Sequence, residues 1–382
     1  MGNGMRRILF VQNTSAIGGA SFCMLNIIRN LNRTKFQPAV LLPADGPLSL
    51  ELKKIGVEVF IMPSLRGIPY NRDLWKLKYL LSYLLVFRCV IEFKRFLSSH
   101  LFDIVYLNSM VLHPYLRPAK NKGCRTVIHI REHWPLREHV VQLSYARRNV
   151  RLFADKLLAI NEYSASIFPA ATKKASIVYD WIDFTDRFEP RSFSDILGED
   201  AFRLKVYLYT GGFDQFKGPR EVFKAFSSAV TDKNARLLVL GDKPKNSTSK
   251  YMKEAIKILE EDSRIVCIPR TYKIKHIIEQ AYCVLSSFTV PHANLGLAEN
   301  IILNKITIAA DNEEAREYSL NGELAILFTP NNIDDFIRKI QILDDVYEEY
   351  TKKLYKNSVV IKKKFDKEEN LKILECVFDG LN

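Results

Sequence analysis

The sequence contains few cysteines, and none of them are closely spaced. The nearest two of the six, Cys267 and Cys283, are 16 positions apart. This spacing excludes a CxxC metal site and a dense disulfide framework. We therefore predict a reducing, cytoplasmic location.

Long apolar runs are also absent. The longest, YLLSYLLVF at residues 79–87, is about half the length of a membrane-spanning helix. The run ILFV near the N-terminus is too brief for a signal peptide. We expect no integral membrane segment.

Acidic residues are too few to balance the basic ones. The chain has 43 Asp and Glu against 56 Lys and Arg, a net charge of +13. An excess of this size indicates an anionic partner, such as nucleic acid, lipid head groups or a phosphorylated substrate. Nucleic acid is disfavoured because the charge is spread along the chain and no recognition motif is present.

Short apolar runs alternate with amphipathic helical patterns in two series, which begin with RILFVQN and KVYLYTGG. This alternation predicts an α/β protein with two doubly wound, Rossmann-like domains that face each other across a cleft. The first domain is predicted at residues 1–185, a linker at 186–203 and the second domain at 204–360. The segment 361–382 is predicted to be a helix that packs back toward the first domain.

Glycines follow the first predicted strand, in the loop SAIGGAS. Gly18 and Gly19 would let backbone amides approach a ligand at the start of a helix. A tight turn could also require them for its shape alone. A nicotinamide-binding site is disfavoured, since the third glycine of the dinucleotide fingerprint is missing and no acid ends the second strand.

Two charged residues stand at places where ligands bind in α/β sheets. Lys217 lies in the loop GGFDQFKG just before a helix, where an ammonium would stabilise a diphosphate. Glu299, within PHANLGLAEN, could accept hydrogen bonds from two vicinal hydroxyls. The alternatives are a solvated loop lysine and a helix-surface glutamate.

Several segments, in order, resemble the glycosyltransferase family 4 type of retaining, GT-B fold enzymes, over nearly the whole chain. GGAS resembles the family's GGAE, GGFDQFKG its GR-x-x-x-KG, and CVLSSFTVPHANLGLAEN its motif with two acids, E-x7-E. HIRE, LLAINEYSASIF, SIVYDWID and TIAADNEEAREYSLNG also have counterparts. The resemblance implies a GT-B fold that holds a nucleotide-diphosphate sugar mainly in the second domain and a glycan acceptor mainly in the first.

The resemblance also implies residue roles. Lys217 matches the lysine that binds the donor diphosphate, and Glu299 matches the second acid of E-x7-E, usually on the ribose. His129 is the plausible match to a histidine near the transferred sugar, with His133 as a neighbouring candidate. His129 could instead be a histidine of the core. The other predicted substrate contacts are Gly18, Gly19, Arg131, Gly296 and Leu297.

Two positions depart from the family pattern. Gly212 replaces the arginine that accompanies the lysine, and Pro291, or Val290 if the alignment slips by one, replaces the first acid of E-x7-E. Losing one charge-assisted contact to the diphosphate removes roughly 1.5 to 3 kcal/mol of interaction free energy, which is about ten- to a hundredfold in binding or rate. The cations that could substitute by position are Arg131, Arg220 and Arg270.

Other chemistries fit poorly. The histidines His129, His133 and His139 have no partners at zinc spacing, so no metal and no further cofactor are expected. A GxSxG hydrolase elbow is absent. The segment DLWKLKYLLSYLLVFRCVIEFKRFL mixes aromatic and basic residues, which suits a helix on an anionic membrane surface or an ordinary packed helix.

The sequence therefore predicts a retaining glycosyltransferase, active without a metal, in cell-surface polysaccharide assembly. Its acceptor would be a glycan, most simply a polyprenyl-diphosphate-linked oligosaccharide on the inner face of the membrane. The first alternative is a catalytically silent, glycosyltransferase-like subunit that binds a partner or a glycan. The second is a nucleic-acid-binding protein.

Overall fold

A computed structural model describes residues 4–68, 77–132, 140–184, 192–198, 203–244, 249–269, 271, 274–290 and 294–381. The chain forms two compact units. One consists of residues 1–180 together with 368–382, and the other of residues 181–367. Each unit has its own parallel sheet and its own apolar core.

The first unit is built on a seven-stranded sheet in the order β3-β2-β1-β4-β5-β6-β7. Its strands are β1 (Arg6–Val11), β2 (Phe36–Leu42), β3 (Glu58–Ile61), β4 (Ile104–Leu107), β5 (Arg125–Ile130), β6 (Lys156–Ala159) and β7 (Ala175–Ile177). Its helices are α1 (Gly19–Asn30), α2 (Pro47–Lys54), α3 (Leu77–Ser99), α4 (Leu116–Asn121), α5 (Val140–Phe153) and α6 (Glu162–Ser166). The central strands are buried, as expected of a sheet covered on both faces.

The second unit is built on a six-stranded sheet in the order β10-β9-β8-β11-β12-β13. Its strands are β8 (Lys205–Tyr209), β9 (Ala235–Leu240), β10 (Ile265–Ile268), β11 (Cys283–Ser286), β12 (Thr307–Ala310) and β13 (Ile326–Phe328). Its helices are α7 (Phe193–Leu197), α8 (Pro219–Ala229), α9 (Lys250–Glu261), α10 (Ile274–Gln280), α11 (Leu295–Ile302), α12 (Glu313–Tyr318), α13 (Ile333–Gln341) and α14 (Leu343–Lys364).

The last helix, α15 (Lys367–Asp379), packs on the first sheet. The Phe378 ring is fully buried and makes edge contacts with the rings of Phe10, Phe36 and Tyr106. The Arg6 guanidinium donates to the Phe378 carbonyl oxygen at 2.6 Å. The chain therefore returns to complete its first unit.

All strands predicted from the sequence are present, and the prediction of two doubly wound sheets is confirmed. Part of the predicted linker, residues 192–198, contains the short helix α7, where the sequence shows no periodicity. Ser192 and Asp195 form a capping box that starts this helix. Among the helices within the described ranges, none combines the length and apolar content needed to cross a lipid bilayer.

Candidate active site

Lys217 lies in the loop that joins β8 to α8. The loop makes a 3-10 turn over Gln215–Lys217, in which the Asp214 carboxylate accepts a hydrogen bond from the Phe216 N–H at 3.0 Å. The Lys217 side chain is half-buried, and its ammonium contacts no acid or acceptor among the described residues. A cation is therefore available at the start of α8.

Gly218 fixes this loop against the neighbouring strand. Its backbone has φ 69° and ψ 48°, a left-handed conformation that favours glycine. A Cβ at this position would lie 1.8 Å from Ser287 Oγ, and that hydroxyl donates to the Gly218 carbonyl oxygen at 3.0 Å. Because Ser287 follows β11, the Lys217 loop and the carboxyl end of β11 are held together.

Glu299 lies on α11, the helix that follows β11. Its side chain is half-buried, and no described residue donates a hydrogen bond to its carboxyl group. Burial raises the pKa of Glu299 to about 7. A buried carboxyl group without a partner and with a raised pKa is a candidate for a functional site.

The first turn of α11 contains Gly296 and Leu297. The Leu297 side chain is buried, and its N–H donates to the Asn294 carbonyl oxygen at 3.0 Å. A Cβ on Gly296 would lie 3.6 Å from Thr210 Oγ1, just after β8. The start of α11 therefore adjoins the segment that leads to Lys217. The structure places the predicted second-domain residues after the carboxyl ends of two neighbouring strands, β8 and β11.

Gly212 occupies the position of the missing arginine. Its φ is 61°, and a Cβ there would approach the Leu240 carbonyl oxygen to 3.3 Å. A Cβ on Gly241 would in turn lie 2.8 Å from the Gly212 Cα. The two backbones pack directly on each other, so this glycine is required by the loop that is present.

Arg220 is not a free substitute cation. Its guanidinium bonds to the carboxylates of Glu221 and Glu254 at 2.6 and 2.8 Å. It also stacks on Tyr251, with its Cζ 4.5 Å from the ring centroid. Arg270 and Pro291 lie outside the described residues, as do His133 and His139.

In the first unit, Gly18 and Gly19 are exposed at the start of α1. Gly18 has an extended backbone with φ −132°. A Cβ added to either glycine would meet nothing within 4 Å. The turn itself therefore does not require glycine here, in contrast to Gly218.

His129 is fully buried on β5. The Tyr106 hydroxyl and an Arg131 N–H both donate to its Nδ1, the second at 3.3 Å. Nε2 therefore carries the proton, and it has no hydrogen-bond partner among the described residues. Burial, assisted by the Arg131 charge, holds the pKa of His129 well below its usual value. The ring is a neutral group with one unpaired buried donor.

Arg131 is not exposed to a ligand in this unit. Its guanidinium bonds to both Asp180 oxygens, at 2.6 and 2.8 Å, and to Asn108 Oδ1 at 2.7 Å. The Arg131 side chain is 2% exposed. Arg131 therefore belongs to an internal ion pair, and it supplies no free cation for a diphosphate.

The structure also identifies residues that sequence reasoning missed. Asn108, after β4, donates to Gln12 Oε1 at 2.8 Å and to the Ala20 carbonyl oxygen at 3.0 Å, which ties the start of α1 to the sheet. Glu132 accepts hydrogen bonds from the Met110 and Arg131 N–H groups. In the second unit, buried Glu314 accepts from the N–H of the α11 N-cap residue. The available sequence signal for Asn108 and Glu132 is that each lies within two residues of the end of a buried strand.

Within the described ranges, no group of three or more His, Cys, Asp or Glu side chains could hold a metal ion.

Comparison with known proteins gives a family match and several similar folds. Residues 201–358 match the family described as glycosyl transferases group 1. The solved structure of Anabaena HepE in complex with UDP-glucose is similar, with 18% identity, a TM-score of 0.74 and coverage of 98% of this chain and 99% of that one. No curated protein sequence matches the chain.

Two further solved structures share the fold. A glycosyltransferase from Rickettsia africae has 13% identity and a TM-score of 0.75, with coverage of 99% of this chain and 98% of that one. Sucrose-phosphate synthase from Thermosynechococcus elongatus has 14% identity and a TM-score of 0.74, with coverage of 98% and 99%. The chain therefore has the GT-B fold that these solved structures share, and its residues 201–358 match the family described as glycosyl transferases group 1.

Proposed function

We propose that the protein transfers a sugar from a nucleotide-diphosphate donor to a glycan acceptor, with retention of configuration. The observation that carries this proposal is that the Lys217 ammonium, in the loop after β8, and the Glu299 carboxyl group, on the helix after the neighbouring strand β11, both lack a partner among the described residues. Lys217 would hold the diphosphate and Glu299 the ribose hydroxyls. Anabaena HepE, solved with UDP-glucose, suggests UDP-glucose as the first donor to test.

The proposed chemistry is stabilisation of the leaving group. The bond from the anomeric carbon to the diphosphate oxygen breaks, and the acceptor hydroxyl forms its bond on the same face. The acceptor proton passes to the departing diphosphate. Lys217 and the starts of α8 and α11 stabilise the developing negative charge, a role that cationic side chains can fill in place of a metal.

First-unit residues would contact the acceptor or the transferred sugar. Gly18 and Gly19 leave open space beside the backbone at the start of α1. His129 is fully buried, so its unpaired Nε2 would meet a sugar hydroxyl only after the side chains that cover it move aside. We propose that this transfer takes place in the cytoplasm and contributes to the assembly of a cell-surface polysaccharide.

The test is titration of UDP-glucose by calorimetry, together with transfer assays. Lys217→Ala should lower the rate about ten- to a hundredfold, because it removes one charge-assisted contact to the diphosphate. Lys233→Ala, at an exposed lysine in the turn before β9, is the control. Full transfer and full donor affinity in both Lys217→Ala and Glu299→Ala would refute the assignment. Absence of binding to any nucleotide sugar would favour a catalytically silent subunit.

We further propose that the acceptor is lipid-linked and that α3 contacts the membrane. The solvent-facing side of this helix includes Leu84 and Phe87, which are 62% and 67% exposed, where polar residues are expected. Arg88, Lys94 and Arg95 are exposed on the same helix. Apolar side chains flanked by cations suit an anionic bilayer surface.

Sedimentation with phosphatidylglycerol vesicles tests this surface. Combined Leu84→Gln and Phe87→Gln should reduce vesicle binding at least tenfold. Combined Val359→Gln and Tyr355→Gln, at side chains of α14 that are 62% and 72% exposed, should leave vesicle binding unchanged. Equal binding of all variants would contradict the proposal.

A further inference from the structure

A groove of about 920 Å³ on the second unit contains none of the residues Lys217, Glu299 and Gly296. Residues of α8, α9 and α13 line it, and the stacked rings of Phe328 and Phe336 lie at its base, with centroids 4.1 Å apart. Gly218 and Ser287 form the end nearest the Lys217 loop. We call this feature the helical groove.

The helical groove is electrically balanced, although the chain as a whole carries +13. Its charged lining residues are Arg220, Lys224, Lys257, Glu221, Glu254 and Glu261. Three cations thus face three acids, and Arg220 is already paired with two of those acids. An anionic ligand, such as a nucleotide or a phospholipid, gains no net attraction here.

Neutral polar groups and aromatic rings supply the remaining surface. Phe216 is 72% exposed at the edge of the groove, and the Tyr251 ring also lines it. The side chains of Gln215, Thr289 and Asn331 line the groove and form no hydrogen bond with other described residues. Aromatic faces beside free amides and hydroxyls can satisfy the C–H faces and hydroxyls of a sugar ring at the same time.

We propose that the helical groove, which adjoins the donor site at Gly218 and Val290, binds a neutral oligosaccharide segment as a second carbohydrate site. Its volume lies at the upper end of the range for ligand pockets, about 300 to 1,000 Å³. Phe216 would stack on one sugar ring, and Gln215, Thr289 and Asn331 would bond to hydroxyls. Because Phe216 directly precedes Lys217, a glycan in the groove would be held beside the donor loop.

Saturation-transfer NMR with the full chain tests this inference. The probes are maltoheptaose, cellopentaose and laminarihexaose, with a hyaluronan hexasaccharide as the anionic comparison. We expect binding of at least one neutral probe and weaker binding of the anionic one. Phe216→Ala should lower the affinity for the neutral oligosaccharide roughly tenfold, because the ring that stacks on the sugar is lost.

Tyr355→Ala is the matched control, since Tyr355 is also 72% exposed but lies on α14, away from the groove. Absence of binding to all neutral probes, equal affinity in Phe216→Ala, or tighter binding of the hyaluronan hexasaccharide would overturn the inference. UDP-glucose titration distinguishes the two proposals. UDP-glucose binding without oligosaccharide binding leaves the proposed function standing, and the reverse result leaves only the groove.

Discussion

Glu299 shows how one residue can report on ligand binding. Burial raises its pKa to about 7, so roughly half of the molecules carry a neutral carboxyl group at pH 7. Hydrogen bonds from ribose hydroxyls would favour the ionised form and lower the pKa. Donor binding at this residue should therefore release protons.

We predict that UDP-glucose binding at pH 7 releases about half a proton per molecule. Release should vanish at pH 9, where Glu299 is already ionised, and it should vanish in Glu299→Gln at any pH. Calorimetry in buffers with different ionisation enthalpies measures it. Glu348→Gln, at a side chain that is 90% exposed, should retain the release. Proton uptake, or an unchanged release in Glu299→Gln, would contradict the assigned contact.

At Gly212, restoring the family arginine should not restore a stronger site. Its φ of 61° and the Leu240 carbonyl oxygen, 3.3 Å from a new Cβ, both oppose a side chain. We predict that Gly212→Arg destabilises the second unit by about 1 to 3 kcal/mol, measured by urea unfolding. Gly19→Ala, with nothing within 4 Å of a new Cβ, should change stability by less than about 1 kcal/mol. Tighter UDP-glucose binding by a fully stable Gly212→Arg variant would refute this reasoning.

At the scale of secondary structure, buried polar contacts fix the start of α1 to the ends of β4 and β5. Asn108 connects Ala20 on α1 to Arg131 after β5, and Arg131 continues the network to Asp180. The start of α1, where Gly18 and Gly19 lie, is therefore held by buried side chains.

We predict that Asp180→Ala lowers the free energy of unfolding of the first unit by roughly 3 to 5 kcal/mol, since Arg131 would be left buried without its partner. Asp45→Ala, at an exposed pair with Lys53 at 2.9 Å, should cost less than about 1 kcal/mol. Hydrogen exchange of β5 amides measures both. Similar losses of unfolding free energy in the two variants would show that the buried ion pair stabilises the first unit no more than an exposed one does.

The sequence predicts the strands well because buried parallel strands appear as continuous apolar runs. It does not predict α7, since five residues are too few to show a helical period. It also misses the Arg131–Asp180 pair, which joins positions 49 residues apart, and the Gly212–Gly241 contact, which depends on β8 lying beside β9. Local pattern is visible in a single sequence, whereas pairing across the fold is not.

At the scale of the whole molecule, the first unit is discontinuous in sequence. Residues 368–382 belong to it, after the complete second unit has intervened. Phe378 fills the space between Phe10, Phe36 and Tyr106, so a distant segment contributes to the first core.

We predict that Phe378→Ala destabilises the first unit by about 3 to 5 kcal/mol through the cavity it creates. Amide exchange in β1 and β2 should accelerate, while exchange in β8 and β9 should not. Tyr355→Ala, at an exposed ring, serves as the control and should leave both units unchanged. Equal acceleration in both sheets would show that the two units unfold as one.

Because α15 packs on the first sheet, the first unit cannot complete its core until late in synthesis on the ribosome. Arg6 in β1 can form its ion pair with Asp379 only after a further 373 residues have been synthesised. At about 5 to 20 residues per second, that delay is roughly 20 to 75 s. During this interval the rings of Phe10 and Phe36 lack their contact with Phe378, so the nascent chain exposes an apolar surface that chaperones can bind until α15 has been synthesised.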